Sequence, residues 1–224
     1  MTVPATAGAV ERLASPSALE AHLATHPRVE FPALPGRRNH LRAGVLVPLL
    51  WDPEPRCLLT VRAGGLKHHA GEVCFPGGRP DATDRDLEHT ALREAREELG
   101  LEQARVLGAL SSVPLYTSDF RLHPYVAEVP RQPLVASPDE VAEILELPLL
   151  PWIEREAIDA IAWEAGELRG LSPVFTLGTQ RMYGATAHSF YELLCVVASA
   201  SGLEPPPLVA CALRWSDVLP RDAS

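Results

Sequence analysis

The sequence predicts an α/β fold in which helices cover both faces of a mixed sheet. Runs rich in Val and Leu, typical of buried strands, lie on both sides of one strongly acidic helix. A second long helix is predicted towards the end of the chain. Strands that flank helices in this order favour a layered α/β architecture. The 224 residues suffice for one domain with a sizeable core, alone or with extensions.

The first half of the chain is predicted to contain a short helix, two strands and the acidic helix. The short helix begins at Ser15 or Ser17, either of which suits an N-cap, and ends near His26. The segments that follow are a strand over 43–50, a strand over 56–61, a loop over 62–78 and the acidic helix over 84–99.

The second half is predicted to complete the sheet and to add the second long helix. Its segments are strands over 105–112 and 122–129, mixed loop and strand over 138–147, a short helix over 151–156, a hairpin over 174–183 and a helix over 187–200. We therefore divide the chain into an N-terminal extension with a short helix (1–41), a folded domain (42–200) and a proline-containing C-terminal tail (201–224).

Composition argues against several classes of protein. No apolar run approaches the length of a membrane span, and the N-terminus lacks the build of a signal peptide. The four cysteines show no CxxC spacing, which favours buried free thiols over zinc ligands or disulfides and predicts a cytoplasmic location. The net charge of −9 argues against a nucleic-acid surface, although a metal and local cations can still hold one anionic nucleotide.

The acidic helix, for which Gly100 is a candidate C-cap, carries the clearest functional signal. Glu94, Glu97 and Glu98 are spaced i, i+3 and i+4, so a helix places all three carboxylates on one face. Like charges at this spacing repel, and a divalent cation reverses that cost. Clustered carboxylate oxygens suit Mg²⁺ or Mn²⁺, which take further ligands from water and substrate phosphates.

Neighbouring residues favour a metal site over the alternative of a solvated helix face. Arg93 lies four residues before Glu97 and can pair with its carboxylate. Asp84 is a candidate N-cap and a candidate metal or supporting group. Gly77 and Gly78 allow the main chain to approach a ligand closely before the helix begins.

These residues resemble the Nudix box, whose pattern is Gly-x5-Glu-x7-Arg-Glu-U-x-Glu-Glu-x-Gly-U, with U a bulky aliphatic residue. The matching residues are Gly78, Arg93, Glu94, Glu97, Glu98, Gly100 and Leu101. The chain departs from the pattern in three ways. Asp84 stands where the first Glu belongs, the gap from it to Arg93 is one residue longer, and Ala95 is a small U residue.

The longer gap and an upstream motif resemble one subfamily, the coenzyme A pyrophosphatases. The upstream residues that match its signature are Leu58, Leu59, Thr60, Arg62, Ala63, Lys67, Gly71 and the Phe-Pro-Gly-Gly run at 75–78. Lys67 stands where Arg is usual, which keeps the charge but loses the bidentate geometry. Segments at 139–149 and 183–187 also match, so the resemblance covers about 42–200.

The resemblance implies a Nudix fold, an α/β/α sandwich with a mixed sheet and a metal-binding helix. It implies a Mg²⁺- or Mn²⁺-dependent hydrolase that cleaves the pyrophosphate of coenzyme A or its derivatives. The products would be 3′,5′-ADP and 4′-phosphopantetheine or its acyl form. We expect Glu94, Glu97 and Glu98 to hold the metal, with Arg93 as part of the catalytic set.

The remaining site residues are assigned to the substrate and to proton transfer. Arg62 and Lys67 are expected to hold phosphate groups, the ribose 3′-phosphate of coenzyme A among them. Gly77 and Gly78 are expected to lie against the substrate, and one of their carbonyls is a further candidate metal ligand. The general base is either Glu94 or, from a distant loop, Glu140.

Two other functions remain open at this point. One is hydrolysis of another nucleoside diphosphate derivative, such as a sugar nucleotide, a dinucleotide or an oxidised nucleotide. The other is a catalytically silent domain that binds a nucleotide and regulates a partner, although such domains usually lose carboxylates that this chain keeps. In each case the partner is a small nucleotide rather than nucleic acid or membrane, and the two extensions are candidates for a homodimer interface.

Overall fold

The computed structural model describes residues 13–51, 55–66, 69–165 and 168–219, and it confirms the predicted α/β fold. Helices in this part of the chain are α1 Pro16–Leu23, α2 Leu87–Leu99, α3 Leu150–Ile153, α4 Gly184–Ala200 and α5 Trp215–Val218. Strands of the large sheet are β1 Leu41–Leu50, β2 Arg56–Arg62, β3 Val73–Cys74, β4 Gly77–Gly78, β5 Arg105–Ala109, β6 Val113–Pro114, β7 Phe120–Glu128 and β8 Val141–Pro148. The remaining strands are β9 Ile158–Ala165, β10 Leu168–Pro173, β11 Phe175–Leu177, β12 Gln180–Met182 and β13 Leu208–Ala210.

The large sheet is mixed, as predicted. Its main path runs β3-β2-β1-β7-β5, while β4 pairs with β1, β6 with β7 and β8 with β2. The pairing of β1 with β7 is parallel, from Leu41 opposite Phe120 to Leu49 opposite Glu128. The other pairings in this sheet are antiparallel. A three-stranded sheet (β10-β9-β13) and the β11–β12 hairpin lie outside it.

Strand β1 is buried on both faces, which explains its continuous apolar sequence. Val45, Val47 and Leu49 belong to one hydrophobic cluster, which includes residues of α1 and α4. Leu46 and Leu50 belong to a second cluster, which includes residues of α2. Because side chains alternate across a strand, β1 contributes one face to each of the two clusters. The sheet is therefore covered by α2 on one side and by α1 and α4 on the other.

Helix α2 begins later than the sequence predicts. Asp86, not Asp84, is the N-cap, and its carboxylate accepts a hydrogen bond from the His89 main-chain N–H at 2.8 Å. The helix ends at Gly100, whose left-handed conformation (φ 67°) confirms the predicted glycine C-cap. Asp84 is free to serve another role because Asp86 already caps the helix.

Several elements between 62 and 78 and after 156 were not predicted. The loop over 62–78 contains the two-residue strands β3 and β4. Strands β9 and β10 pair antiparallel, from Ala160 opposite Pro173 to Ala165 opposite Leu168. Strand β13, which lies in the predicted tail, pairs with β9 in parallel. Polar residues interrupt the apolar pattern of β9, and β13 is only three residues long, so neither gives a clear signal. The division of the chain at 42–200 stays a prediction.

Two predictions from composition can be compared with the structure. All four cysteines are free; Cys57 is buried and the other three are partly buried. None of the helices described in the structure is long and apolar enough to cross a membrane.

Contact between α2 and β1 requires a residue without a side chain at position 44. A Cβ on Gly44 would collide with the carbonyl oxygen of Leu87 and lie 3.2 Å from the Ala91 main-chain nitrogen. We expect Gly44→Ala to lower the free energy of unfolding by about 2–3 kcal/mol, because backbone must move to admit the methyl group. Chemical denaturation measures this change.

The matched control is Gly64→Ala, where a Cβ would meet nothing within 4 Å. We expect this variant to stay within about 0.5 kcal/mol of the wild type. Equal losses in the two alanine variants would contradict the close packing of α2 on β1.

Candidate active site

Two glycines of β4 bring the main chain against the acidic face of α2. Gly78 pairs with Gly44 and Gly77 with Val45 at the edge of β1. A Cβ on Gly78 would run into the carboxylate of Glu94, and one on Gly77 would lie 2.6 Å from the Val45 Cα. Position 77 therefore requires glycine, because backbone blocks a side chain there. A side chain at position 78 would displace the Glu94 carboxylate, which lies directly over the strand.

Glu98 lies beneath this strand and is 3% exposed. Its Oε1 accepts a hydrogen bond from the Gly77 N–H at 3.4 Å. Burial raises the pKa of Glu98 to about 7, and the charges of Glu94 and Glu140 add to the rise. The Gly77 N–H and the charge of Arg62 oppose it. Glu98 is therefore a buried carboxyl group whose negative charge is only partly compensated.

Glu94 is the second carboxylate with a raised pKa. Burial is the main cause, and the negative charges of Glu97 and Glu140 contribute. Arg93 opposes the rise through an ion pair of 3.0 Å between its Nη2 and the Glu94 Oε1. Glu94 and Glu98 thus form a pair of adjacent carboxylates in which each would gain from a nearby cation.

Arg93 is held in place chiefly by Asp84. The Nε and Nη2 atoms of Arg93 donate to the Asp84 carboxylate at 3.0–3.3 Å. Asp84 also accepts hydrogen bonds from the Thr90 hydroxyl and the Asp81 N–H, and its Oδ1 lies 2.9 Å from the His89 Nδ1. Hydrogen bonds from Arg93 and the Asp81 N–H hold the pKa of Asp84 well below its usual range. The departure from the box pattern therefore leaves a carboxylate that anchors Arg93.

Glu97 lies apart from the buried pair. Its side chain is 56% exposed, and its Oε2 accepts a hydrogen bond from the Arg93 Nη1 at 3.0 Å. The pairing with Arg93 that the i, i+4 spacing suggests is therefore present. In this arrangement the carboxylate of Glu97 is directed to Arg93, whereas Glu94 and Glu98 lie beside the glycine strand.

Glu140, which immediately precedes β8, and Arg62, the last residue of β2, reach the same site. The Glu140 carbonyl accepts a hydrogen bond from the Ala63 N–H at 2.9 Å, which joins the two loops. The exposed side chain of Glu140 is close enough to raise the pKa of both Glu94 and Glu98. The Nε of Arg62 is buried and has no hydrogen-bond partner among the described residues. Arg62 therefore brings a positive charge and an unsatisfied donor to the edge of the carboxylate pair.

Part of the predicted substrate loop lies outside the described residues, Lys67 and His68 included. His69 is described, and its ring nitrogens contact the Glu72 carboxylate at 2.9 Å and the Thr117 hydroxyl at 3.3 Å. These contacts support a structural role for His69 in the loop. The contact between Glu72 and His69 was not predicted, because a separation of three residues does not indicate contact outside a helix.

The fit of a divalent metal can be tested on the donor set. Among the described residues, no three His, Cys, Asp or Glu side chains converge into a ready-made metal site. Glu94 and Glu98 are two adjacent carboxylates with raised pKa values. Carboxylate oxygens are the protein ligands that Mg²⁺ and Mn²⁺ prefer. These metals usually keep several waters and substrate oxygens as further ligands. The residues therefore fit a metal that the protein holds only in part.

Comparison with known proteins agrees with this geometry. The sequence profile described as the NUDIX domain matches residues 40–172. The chain belongs to the Nudix family. Its fold is therefore the Nudix fold, with α2 as the helix that bears the box.

Related proteins carry the same family name. The chain is 47% identical over 114 residues to "Uncharacterized Nudix hydrolase NudL" of Cronobacter sakazakii, a match that covers 50% of this chain and 59% of that protein. It is 43% identical over 121 residues to the NudL protein of Pectobacterium atrosepticum, covering 53% and 62%. The match thus spans less than two thirds of either relative. A solved Nudix hydrolase from Nitrosomonas europaea aligns with a TM-score of 0.47 and 14% identity, over 76% of this chain and 79% of that one.

The raised pKa of Glu98 predicts a pH-dependent stability for the metal-free protein. Unfolding returns this carboxyl group to its ordinary pKa of 4.5, so above that pH the unfolded chain releases a proton that the folded protein retains up to about pH 7. Glu98 therefore destabilises the fold increasingly as the pH rises from about 4.5 to 7. The full effect above pH 7 is about 3 kcal/mol.

Denaturation of the wild type and of Glu98→Gln in EDTA measures this effect. We expect the unfolding free energy of the variant, relative to the wild type, to rise by about 3 kcal/mol between pH 4.5 and pH 8. Glu97→Gln, on the exposed side of the same helix, is the control and should follow the wild type. A constant difference between Glu98→Gln and the wild type would show that Glu98 ionises normally.

Proposed function

We propose that this protein is a divalent-metal-dependent Nudix hydrolase of a nucleoside diphosphate derivative, and that its substrate is coenzyme A or a derivative. The observation that carries the proposal is the pair of the partly buried Glu94 and the buried Glu98, close to the Arg62 Nε, which has no hydrogen-bond partner among the described residues. Two groups that gain from a cation and one that gains from an anion lie side by side. A metal–pyrophosphate complex supplies both charges.

Glu94 and Glu98 would hold the metal through their carboxylates. Glu97 would join them only by exchanging its hydrogen bond with Arg93 for the ion. A bound divalent ion neutralises phosphate oxygens and lowers the pKa of a coordinated water, which makes water a better nucleophile at neutral pH. Arg93, anchored by Asp84, fixes the position of Glu94. Its positive charge also reduces the repulsion among the carboxylates on this face of α2.

Arg62 is suited to bind an oxygen of the pyrophosphate. Its guanidinium acts on Glu98 electrostatically, so it lies near one of the carboxylates that are proposed to hold the metal. Its Nε has no hydrogen-bond partner within the described ranges, and a phosphate oxygen would satisfy it. Lys67, the second predicted phosphate ligand, lies outside the described residues and stays a prediction.

Glu140 is the better of the two candidate general bases. Its side chain is exposed, whereas Glu94 is bound by Arg93 and partly buried. A base must reach the proton of the attacking water, and an exposed carboxylate at the mouth of the site is free to do so. In the reaction one P–O bond of the bridge breaks, the water oxygen bonds to phosphorus, and the released proton passes first to the base.

The choice of coenzyme A rests on the residues upstream of the box. The Leu-Leu-Thr run, Arg62 and the Phe-Pro-Gly-Gly run resemble the coenzyme A pyrophosphatases. In the fold the Leu-Leu-Thr run and Arg62 lie on β2, and the Phe-Pro-Gly-Gly run ends in β4, beside the carboxylates of α2. Leu58, Leu59 and Thr60 are buried, so within this motif the residue that this placement favours for a role in substrate choice is Arg62.

The proposal is tested by incubating the purified protein with coenzyme A and either Mg²⁺ or Mn²⁺. Chromatography should detect equal amounts of 3′,5′-ADP and 4′-phosphopantetheine. We expect Glu98→Gln to lower kcat by at least about 100-fold, since it removes a proposed metal ligand. Glu140→Gln should lower kcat by about 100-fold and remove the acidic limb of the pH profile.

The outcomes separate the three functions considered. Hydrolysis of another nucleoside diphosphate derivative, but not of coenzyme A, would keep the metal chemistry and reject the role of residues 58–78. Metal-independent binding of a nucleotide without turnover of any such compound would indicate a silent domain. Full activity of Glu140→Gln would move the role of general base to Glu94.

A further inference from the structure

A pocket of about 350 Å³ lies beside the candidate active site. Three segments line it: residues 70–72 of the loop before β3, the β11–β12 hairpin with Tyr183, and residues 217–219 at the end of α5. Its volume is at the lower end of the range for small-molecule sites in proteins. The proposed hydrolytic mechanism makes no use of it.

The pocket is joined to the carboxylate site through Arg62. The Arg62 N–H donates to the Glu72 carbonyl at 3.0 Å, and the Gly71 N–H donates to the Arg62 carbonyl at the same distance. Gly71 and Glu72 therefore line the pocket while they pair with the residue whose guanidinium acts on Glu98. The pocket wall therefore adjoins the main chain of the residue that is proposed to bind the phosphates.

Charged groups in the pocket wall already have partners. The Arg181 Nη1 donates to the Asp217 carbonyl at 2.8 Å. The Glu72 carboxylate contacts the His69 Nδ1 at 2.9 Å, and it hydrogen-bonds the Tyr183 hydroxyl, which together with burial raises the pKa of that tyrosine. Glu72, Arg181 and Asp217 carry one positive and two negative charges. Within the described part of the wall, the charge therefore does not favour a phosphate group.

Uncharged polar groups complete the pocket wall. Thr176, Thr179 and Gln180 lie on the hairpin, and Thr176 and Thr179 are exposed. Hydroxyl and amide side chains both donate and accept hydrogen bonds, so they match secondary amides. Ala70 and Gly71, which also line the pocket, contribute little side-chain bulk to it.

We propose that this pocket binds the amide-containing pantetheine arm of the substrate, and not its 3′-phosphorylated nucleotide. This inference rests on the proposed function. It gives the C-terminal segment a role, since residues 217–219 form one wall and are tied to the hairpin through Arg181. The nucleotide end then lies on the side of Arg62 away from the pocket.

Inhibition by the two reaction products tests the assignment. Thr176→Trp places a large ring at an exposed position in the pocket wall. We expect the inhibition constant of 4′-phosphopantetheine for coenzyme A hydrolysis to rise about tenfold, while that of 3′,5′-ADP stays within about twofold. The KM for coenzyme A should rise with little change in kcat, because the pocket lies away from the reacting phosphorus.

Thr25→Trp is the matched control, since Thr25 is also exposed but lies after α1 and outside the pocket wall. It should leave both inhibition constants unchanged. Selective weakening of 3′,5′-ADP by Thr176→Trp would overturn the proposal and place the nucleotide in the pocket. Inhibition constants that match those of Thr25→Trp would overturn it by showing that the pocket is not used. Failure of the wild type to hydrolyse coenzyme A would overturn the proposed function first, and this inference with it.

Discussion

Close packing of α2 on the sheet is the constraint on which the site depends. Gly44 lets the helix backbone lie against β1, and Gly78 leaves the space that the Glu94 carboxylate occupies. A side chain at position 44 would push the helix backbone outward, and one at position 78 would displace the Glu94 carboxylate. Without them, Glu98 becomes buried and Glu94 partly so. The geometry of backbone packing thus produces the electrostatic property of the site.

The cost of this arrangement is unbalanced negative charge. Arg93 neutralises part of it, and its guanidinium is held at several points, chiefly by Asp84. Glu98 forms no ion pair within the described part of the chain, and the nearby charge of Arg62 and the Gly77 N–H at 3.4 Å compensate its charge only in part. The buried negative charge therefore lowers the free energy of unfolding, and a bound cation would restore it. This is expected for a site in which ligand binding compensates for buried charge.

Much of this could be predicted from the sequence, because local signals are strong there. The spacing of three glutamates, the C-cap glycine and the Val- and Leu-rich strands predicted α2, β1 and β2. The pairing of Arg93 with Glu97 also follows from helix periodicity.

Long-range features could not be obtained in this way. Asp84 is an N-cap candidate by local rules, but Asp86 caps the helix and Asp84 meets Arg93 across nine residues. The pairing of β13 with β9 and the meeting of Arg62 with Glu98 depend on the path of the whole chain. The dimer, the cytoplasmic location and the metal-binding role of each glutamate stay predictions.

Binding of Mn²⁺ alone, measured by electron paramagnetic resonance of the free ion, tests the central claim most directly. The claim is that Glu94 and Glu98 contribute more to metal binding than Glu97, whose carboxylate is held by Arg93. The Kd at pH 8 should rise by at least about tenfold in Glu98→Gln and by less than about threefold in Glu97→Gln. Loss of affinity in Glu97→Gln with unchanged binding in Glu98→Gln would contradict the account.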